Sequence, residues 1–327
     1  MKNALLTTAV GSYPKPDYLV QARAKAARGE LGQEELHRLE RKATEHWIRL
    51  QEELGLDVLV HGEMERGDMV AHFAELMGSM KMGGLVRSYG NRYYHKPIIV
   101  DRLAWPGPMT VDMWRFAQGL TDRPVKGMLT GPYTMVEWSF DEHYPSRRDA
   151  VLDMARVIRR EVEALVQAGA RYIQIDEPAI HTRPEEDFDL AVEAMRVVVE
   201  GIDCEFHTHI CYGEVELIYP AMLRLPVKQI HLAFKNTNFQ YLRLLEQHPF
   251  DDEKDLGVGV VDVHTRFVES VEDIKEGIRR TLQVTPWERV WVLPDCGLKT
   301  RREEEAVSKL RNMVEAVRQV RREMGIA

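Results

Sequence analysis

Cysteine is scarce in this 327-residue chain, with only Cys204, Cys211 and Cys296. Three scattered thiols cannot form a disulfide framework, which points to a reducing, cytoplasmic setting. Long apolar runs are also missing. Nothing approaches the roughly 18 consecutive apolar residues of a membrane span, so no membrane partner is expected. The short run in MKNALLTTAVGSYP is broken by two threonines and has no clear cleavage site, so it reads as a first strand, not a secretory signal. Basic charge is not in excess: 44 Lys and Arg against 52 Asp and Glu leave a net charge of −8. That balance argues against a nucleic-acid partner, which would want a concentrated basic surface. The locally basic C-terminal stretch KLRNMVEAVRQVRREMG mixes cations with acids and apolar residues and reads as a solvated helix. No low-complexity linker or sequence repeat divides the chain.

A hydrophobic content of 44% and a charged content of 29% are those of a globular chain with a sizeable core. Short β-rich runs alternate with longer runs of helical periodicity. The strand candidates are 5–12, 57–63, 125–131, 172–178, 205–211, 228–234, 257–264 and 289–296. Helical spacing covers QEELHRLERKATEHWIRLQEELG, RRDAVLDMARVIRREVEALVQAG, FDLAVEAMRVVVEGI and VEDIKEGIRRTLQ. Strands each followed by a helix predict an α/β fold, a (β/α)8 TIM barrel, with an open doubly wound sheet as the alternative. The expected organisation is one catalytic domain over 1–327, with an insertion at 64–123 in which SYGNRYYHKPIIVDRLAW suggests a hairpin. An excursion of that length suits a lid or binding arm.

A barrel builds its active site at the C-terminal strand ends. The predicted ends carry Ser12, His61, Glu63, Asp176, Glu177, His209, Cys211, His264, Asp295 and Cys296. In FHTHICYG, strand alternation sends His207, His209 and Cys211 to one face. His209 and Cys211 joined by Cys296 would make a soft set suited to Zn2+, with one position left for substrate. A thiol entering that position would become a thiolate. The alternative reading is a core histidine and two buried thiols. Cys204, at the opposite strand end, reads as structural. Asp176 and Glu63 suit an ammonium group or the orientation of a base, or else the capping of a helix, and Glu177 reads as a helix-capping acid. Glu65, Arg66 and Asp68 read as surface charges. His264, with Asp262 on its strand face, could donate a proton.

The ordered motifs TTAVGSYP, HGEMERGDMV, LTGPYTMVEWSF, IQIDEPA, HTHICYG, VDVHT and WVLPDCGLKTR span nearly the whole chain. Together they resemble the C-terminal catalytic barrel of the cobalamin-independent methionine synthase family. The resemblance implies a zinc-dependent methyltransferase in which homocysteine thiolate attacks a donor methyl group. By motif, His209, Cys211 and Cys296 correspond to zinc ligands, and Val10, Gly11, Ser12, Glu63 and Asp176 to the homocysteine site. His264 corresponds to the proton donor, and Trp138 to a residue lying against folate.

Several positions depart from the family. The first barrel of its long members has no counterpart. Their fourth ligand, a glutamate, falls at Ala233. A folate-region glutamate falls at Thr182, and an Arg-Cys pair reads Arg92-Tyr93. The donor is therefore expected to be something other than methyltetrahydrofolate polyglutamate, such as a methylated corrinoid, with a corrinoid protein or other donor partner. His207 and His231 are expected to support the ligands without binding metal. Alternatives are the same chemistry on another thiol such as coenzyme M, or a non-catalytic barrel that binds methionine or zinc.

Overall fold

The computed structural model describes residues 5–87, 93–183, 187–211, 213–250 and 253–326. Its elements begin with α1 (Asp17–Ala27), α2 (Gln33–Leu54), β1 (Leu59–Val60), α3 (Ala71–Leu76), β2 (Met80–Arg87), β3 (Tyr93–Ile99) and α4 (Val111–Gln118). Next come β4 (Val125–Thr130), α5 (Pro132–Glu137), β5 (Phe140–Asp141), α6 (Arg147–Ala168), β6 (Tyr172–Asp176), α7 (Phe188–Val199) and β7 (Glu205–Ile210). The chain continues through β8 (Gln229–Leu232), α8 (Leu242–Gln247), β9 (Asp255–Val261), α9 (Val271–Leu282), β10 (Val290–Pro294) and α10 (Glu303–Glu323).

Local chemistry sets the helix limits. Ser146 Oγ accepts from the Asp149 amide at the start of α6, and a capping box of Ser270 and Asp273 opens α9. Gly55 and Gly169 stop α2 and α6 in the left-handed conformation, at φ 89° and 107°. Each long helix buries a stripe, such as Leu36, Ala43, Trp47 and Leu54 of α2.

Two compact units divide these contacts. In the first (Met1–Glu65, Met113–Lys126, Gln229–Ala327), β8, β9 and β10 are parallel neighbours, Thr7 bridges to Val292, and Ser12 bridges to Gly62. There β1 pairs with the start of β4, Leu59 opposite Val125. In the second (Arg66–Asp112, Gly127–Lys228), the rest of β4 pairs with β6, and β6 with β7, all parallel. Hydrogen bonding orders the main strands β1-β4-β6-β7-β8-β9-β10, their order along the chain. The Thr7 bridge gives the first predicted strand its place beside β10. The fold class is the predicted (β/α)8 one.

Four local expectations change. The first predicted strand makes only isolated bridges, and the second is strand only at Leu59–Val60, because Gly62 and Glu63 turn the backbone to φ 91° and 58°. The connection from β7 to β8 holds two 3-10 turns (Val215–Leu217, Ala221–Arg224) where a helix was predicted. Pro220 and Pro226 remove the N–H groups that an α-helix there would use. The hairpin's first arm is β2, upstream of the predicted stretch, pairing antiparallel with β3. Beyond β3 the chain is held by buried Glu161 of α6, which accepts from Trp105 Nε1 at 2.8 Å and from the Met109 and Thr110 amides. Those bonds keep 105–110 out of a sheet.

Candidate metal and substrate site

In the second unit, β7 brings His209 to its C-terminal end, with Cys211 one residue beyond the strand. His209 is 2% exposed and Cys211 half-buried. Thr208, on the opposite face, bonds to the Ile175 carbonyl at 2.7 Å, and the Glu177 amide donates to the His209 carbonyl at 3.1 Å. Two bonds to the end of β6 thus hold the backbone around His209. His207 lies deeper, fully buried, with Nε2 3.0 Å from Glu205 Oε1.

Asp176 ends β6, half-buried, and accepts from Gln174 Nε2 at 2.8 Å. Its neighbour Glu177 turns away to the start of α5, where it accepts from the Tyr133 amide (3.0 Å), the Thr134 amide (2.8 Å) and Thr134 Oγ1 (2.7 Å). Glu177 is therefore the helix-capping acid, and a Cβ at Gly131 would overlap its carboxylate. Burial pushes Glu177 up to about 7, outweighing these donors. Trp138 is the half-buried C-cap of α5. Tyr93 is exposed on β3, and Arg92 lies outside the described residues. Thr182 is exposed, with its hydroxyl 2.8 Å from the Ala179 carbonyl.

In the first unit, β10 delivers buried Asp295 and then half-buried Cys296. The Asp295 carboxylate accepts from the Lys235 amide (3.0 Å) and the Asn236 amide (2.8 Å), tying down the turn after β8. Burial raises Asp295 to about 7, against the pull of these two donors. Ala233, just past β8, is buried beside Phe234, so an apolar surface occupies the place where the resemblance puts a glutamate. His231 lies two residues deeper, 1% exposed and packed on Gly257.

Val10 and Gly11 are buried, and Ser12 is at the centre of three segments of this unit. The Tyr13 amide donates to the Gly62 carbonyl (3.1 Å), and the Leu298 amide to the Ser12 carbonyl (2.7 Å). A Cβ at Gly297 would overlap Ser12 Oγ. The segments bearing Ser12, Glu63 and Cys296 are thereby laced together. Glu63 has φ 58°, a conformation costing a non-glycine residue about 1–3 kcal/mol and held only by its surroundings. Buried His61 pairs with Glu65 Oε1 at 3.0 Å. Arg66 is also buried, bonded to the Met128 carbonyl at 2.8 Å, which corrects its reading as a surface charge.

His264 is exposed, three residues past β9 and not on its strand face. Its amide bonds to Asp262 Oδ1 at 2.8 Å, a local turn that ends the strand early. The signals missed in the sequence are Gly297 beside Ser12, and Lys15, whose Nζ donates to the Glu63 carbonyl at 3.0 Å. Only the dipeptide Cys296-Gly297 hinted at the first.

Among the described residues, His209, Cys211 and Cys296 each offer one ligand atom, all within 4.8 Å of one another. Ligands about 2.0–2.3 Å from one zinc ion at tetrahedral angles stand roughly 3.3–3.8 Å apart, so these three fit zinc with a small closure. Two thiols and an imidazole are also the soft donors zinc prefers. Such donors at the C-terminal ends of parallel strands define the class: an α/β barrel with a His-Cys-Cys group that could hold a metal.

Residues 5–319 match the catalytic domain of cobalamin-independent synthase, and the chain belongs to that family. A methionine synthase of Saccharolobus solfataricus is 41% identical over 322 residues, 98% of this chain and 96% of that protein. One from Sulfolobus acidocaldarius is 40% identical over 321 residues, 98% of this chain and 93% of that one. Among solved structures, a B12-independent methionine synthase from Shewanella sp. W3-18-1, in complex with selenomethionine, matches with TM-score 0.90 at 25% identity, covering 99% of this chain and 100% of that one. A methyltransferase from Methanosarcina mazei shares the fold, with TM-score 0.68 at 16% identity over 97% of this chain and 94% of that one. The chain is thus a methyltransferase of the methionine synthase family. No described helix is long and apolar enough to cross a membrane.

Proposed function

We propose that this chain makes methionine from homocysteine with zinc bound by His209, Cys211 and Cys296, and with a methyl donor other than methyltetrahydrofolate polyglutamate. The observation that carries the reading is the approach of those three ligand atoms to within 4.8 Å of one another. Residues 1–327 act as one cytoplasmic catalytic domain, with 64–123 as its insertion.

When bound, zinc supplies a Lewis acid that keeps the substrate thiol deprotonated near neutral pH. Glu63 and Asp176 pair with the homocysteine ammonium, and the Val10-Gly11-Ser12 turn receives its carboxylate. Anchoring both ends of the amino acid aims its sulfur at the methyl group, which lowers the entropic part of the barrier. The new S–CH3 bond forms as the donor's bond to methyl breaks. The electron pair of that bond leaves with the donor, and the thiol proton goes to solvent. His264, exposed beyond β9, protonates a basic leaving group when the donor has one. The selenomethionine held by the Shewanella relative supports a methionine-shaped site.

The donor assignment rests on Thr182, whose hydroxyl lies on the Ala179 carbonyl and which stands where the resemblance puts a folate-region glutamate, and on Arg92-Tyr93 standing in sequence where the family has an Arg-Cys pair. A methylated corrinoid, free or on a partner protein, fits such a site. The test is a donor screen on zinc-supplemented protein with homocysteine: methylcobalamin, methylated corrinoid protein, methyltetrahydrofolate and its polyglutamates. Turnover with a corrinoid donor is expected. Strong turnover with the folate polyglutamate would overturn the donor assignment, and methylation of coenzyme M without homocysteine would overturn the substrate.

A further inference from the structure

Glu63 stands in a left-handed conformation directly after Gly62, which is left-handed too. Two successive residues of this kind make a tight turn that non-glycine residues avoid. Two cations grip its carbonyls: Lys15 Nζ donates to the Glu63 carbonyl at 3.0 Å, and Arg23 Nη1 to the Glu65 carbonyl at 2.8 Å. Arg23 is itself held by Glu40, also at 2.8 Å.

Lys15 is well placed for this grip. It lies between Pro14 and Pro16, whose rings fix φ on both sides of it. Tyr13 stacks on buried Trp47, ring centroids 4.2 Å apart and nearly parallel, and Trp47 Nε1 donates to the Pro14 carbonyl at 3.1 Å. A lysine on so rigid a stem loses less freedom when it binds than one on a mobile loop. Burial and the nearby Arg23 and Lys299 lower Lys15 to about 8, while Glu63 and Glu65 oppose that fall. The lysine is thus kept close to the turn at a cost in solvation.

We propose that Lys15 is a positioning residue. By holding the Glu63 carbonyl it fixes the side on which the Glu63 carboxylate leaves the turn, and so sets the preference for thiol substrates and thioether products that carry an amino group. The proposal rests on the reading of Glu63 as an ammonium partner. A lysine there for stability alone would affect all ligands of the site alike.

L-methionine and 4-(methylthio)butanoate differ only by the amino group, and calorimetric binding of the two needs no methyl donor. Wild-type protein is expected to bind methionine about tenfold or more tighter, the worth of a charge-assisted hydrogen bond. If it binds both equally, the ammonium reading of Glu63 fails, and this proposal with it. In Lys15→Met, methionine binding is expected to weaken about fivefold or more while 4-(methylthio)butanoate changes less than about twofold. Lys15→Arg, which keeps a charged donor, is expected to restore most of the loss. Equal weakening of both ligands, or no weakening, would overturn the positioning role while leaving the Glu63 reading intact. Lys15→Gln makes the same comparison if Lys15→Met does not fold.

Discussion

Lys309 and Glu269 meet as a buried ion pair, Nζ to Oε2 2.9 Å, with neither side chain more than 1% exposed. Glu269 Oε1 also accepts the Asp262 amide at 2.9 Å, and Lys309 donates to the Phe267 carbonyl. The pair therefore anchors both ends of the loop that carries His264. Removing one partner strands a buried charge, so Lys309→Met is expected to cost about 3–5 kcal/mol in urea unfolding. The double variant Lys309→Met, Glu269→Leu should recover much of that loss. A cost below about 1 kcal/mol for the single variant would mean that water reaches the site.

His264 is exposed and should be dispensable for folding. Its effect on rate depends on the leaving group. An amine leaving group needs a proton, so with a folate donor His264→Asn should slow turnover about a hundredfold or more. A corrinoid leaves with the electron pair on cobalt and needs no proton, so with methylcobalamin the same variant should stay within about threefold of wild type. Equal losses with both donors would assign His264 to substrate placement.

Cys296 and Gly297 are adjacent and should fail differently. Cys296→Ser should lose most of the bound zinc, measured by metal analysis after dialysis, because it removes one of the three soft donors proposed to hold it. Gly297→Ala places a Cβ against Ser12 Oγ, and it should keep zinc while binding methionine more weakly. Full zinc content and activity in Cys296→Ser would refute the ligand assignment.

Glu177 makes stability depend on pH. Its carboxyl is raised from 4.5 to about 7 by burial, so between those values the folded protein holds a proton that the unfolded chain has released. Stability therefore falls as pH rises from about 4.5 to 7, by at most about 3 kcal/mol from this group. Denaturant unfolding across that range should show the slope in wild type and a smaller one in Glu177→Gln.

Seven of the eight β-rich runs of the sequence hold a strand of the parallel sheet, and α2, α6, α7 and α9 fill the expected helical stretches. The candidate ligands are equally legible, because HTHIC carries two of them two residues apart and strand periodicity assigns both to one face. Such features are local: a period of two or 3.6 records which side of an element is buried. The hairpin was harder, since the Gly83-Gly84 pair hides the strand character of β2.

Other features depend on partners far away in the chain. Glu177 caps a helix that begins 45 residues earlier, Lys15 holds a carbonyl 48 residues on, and Asp295 fastens a turn 59 residues before it. A single polar side chain has no periodicity, and its sequence neighbours do not reveal which distant amide it will meet. The sequence by itself determined the strand-helix alternation and the residues able to hold a metal. Only the tertiary structure decided which helix Glu177 caps, and that the Glu63 carbonyl in its left-handed turn is held by Lys15.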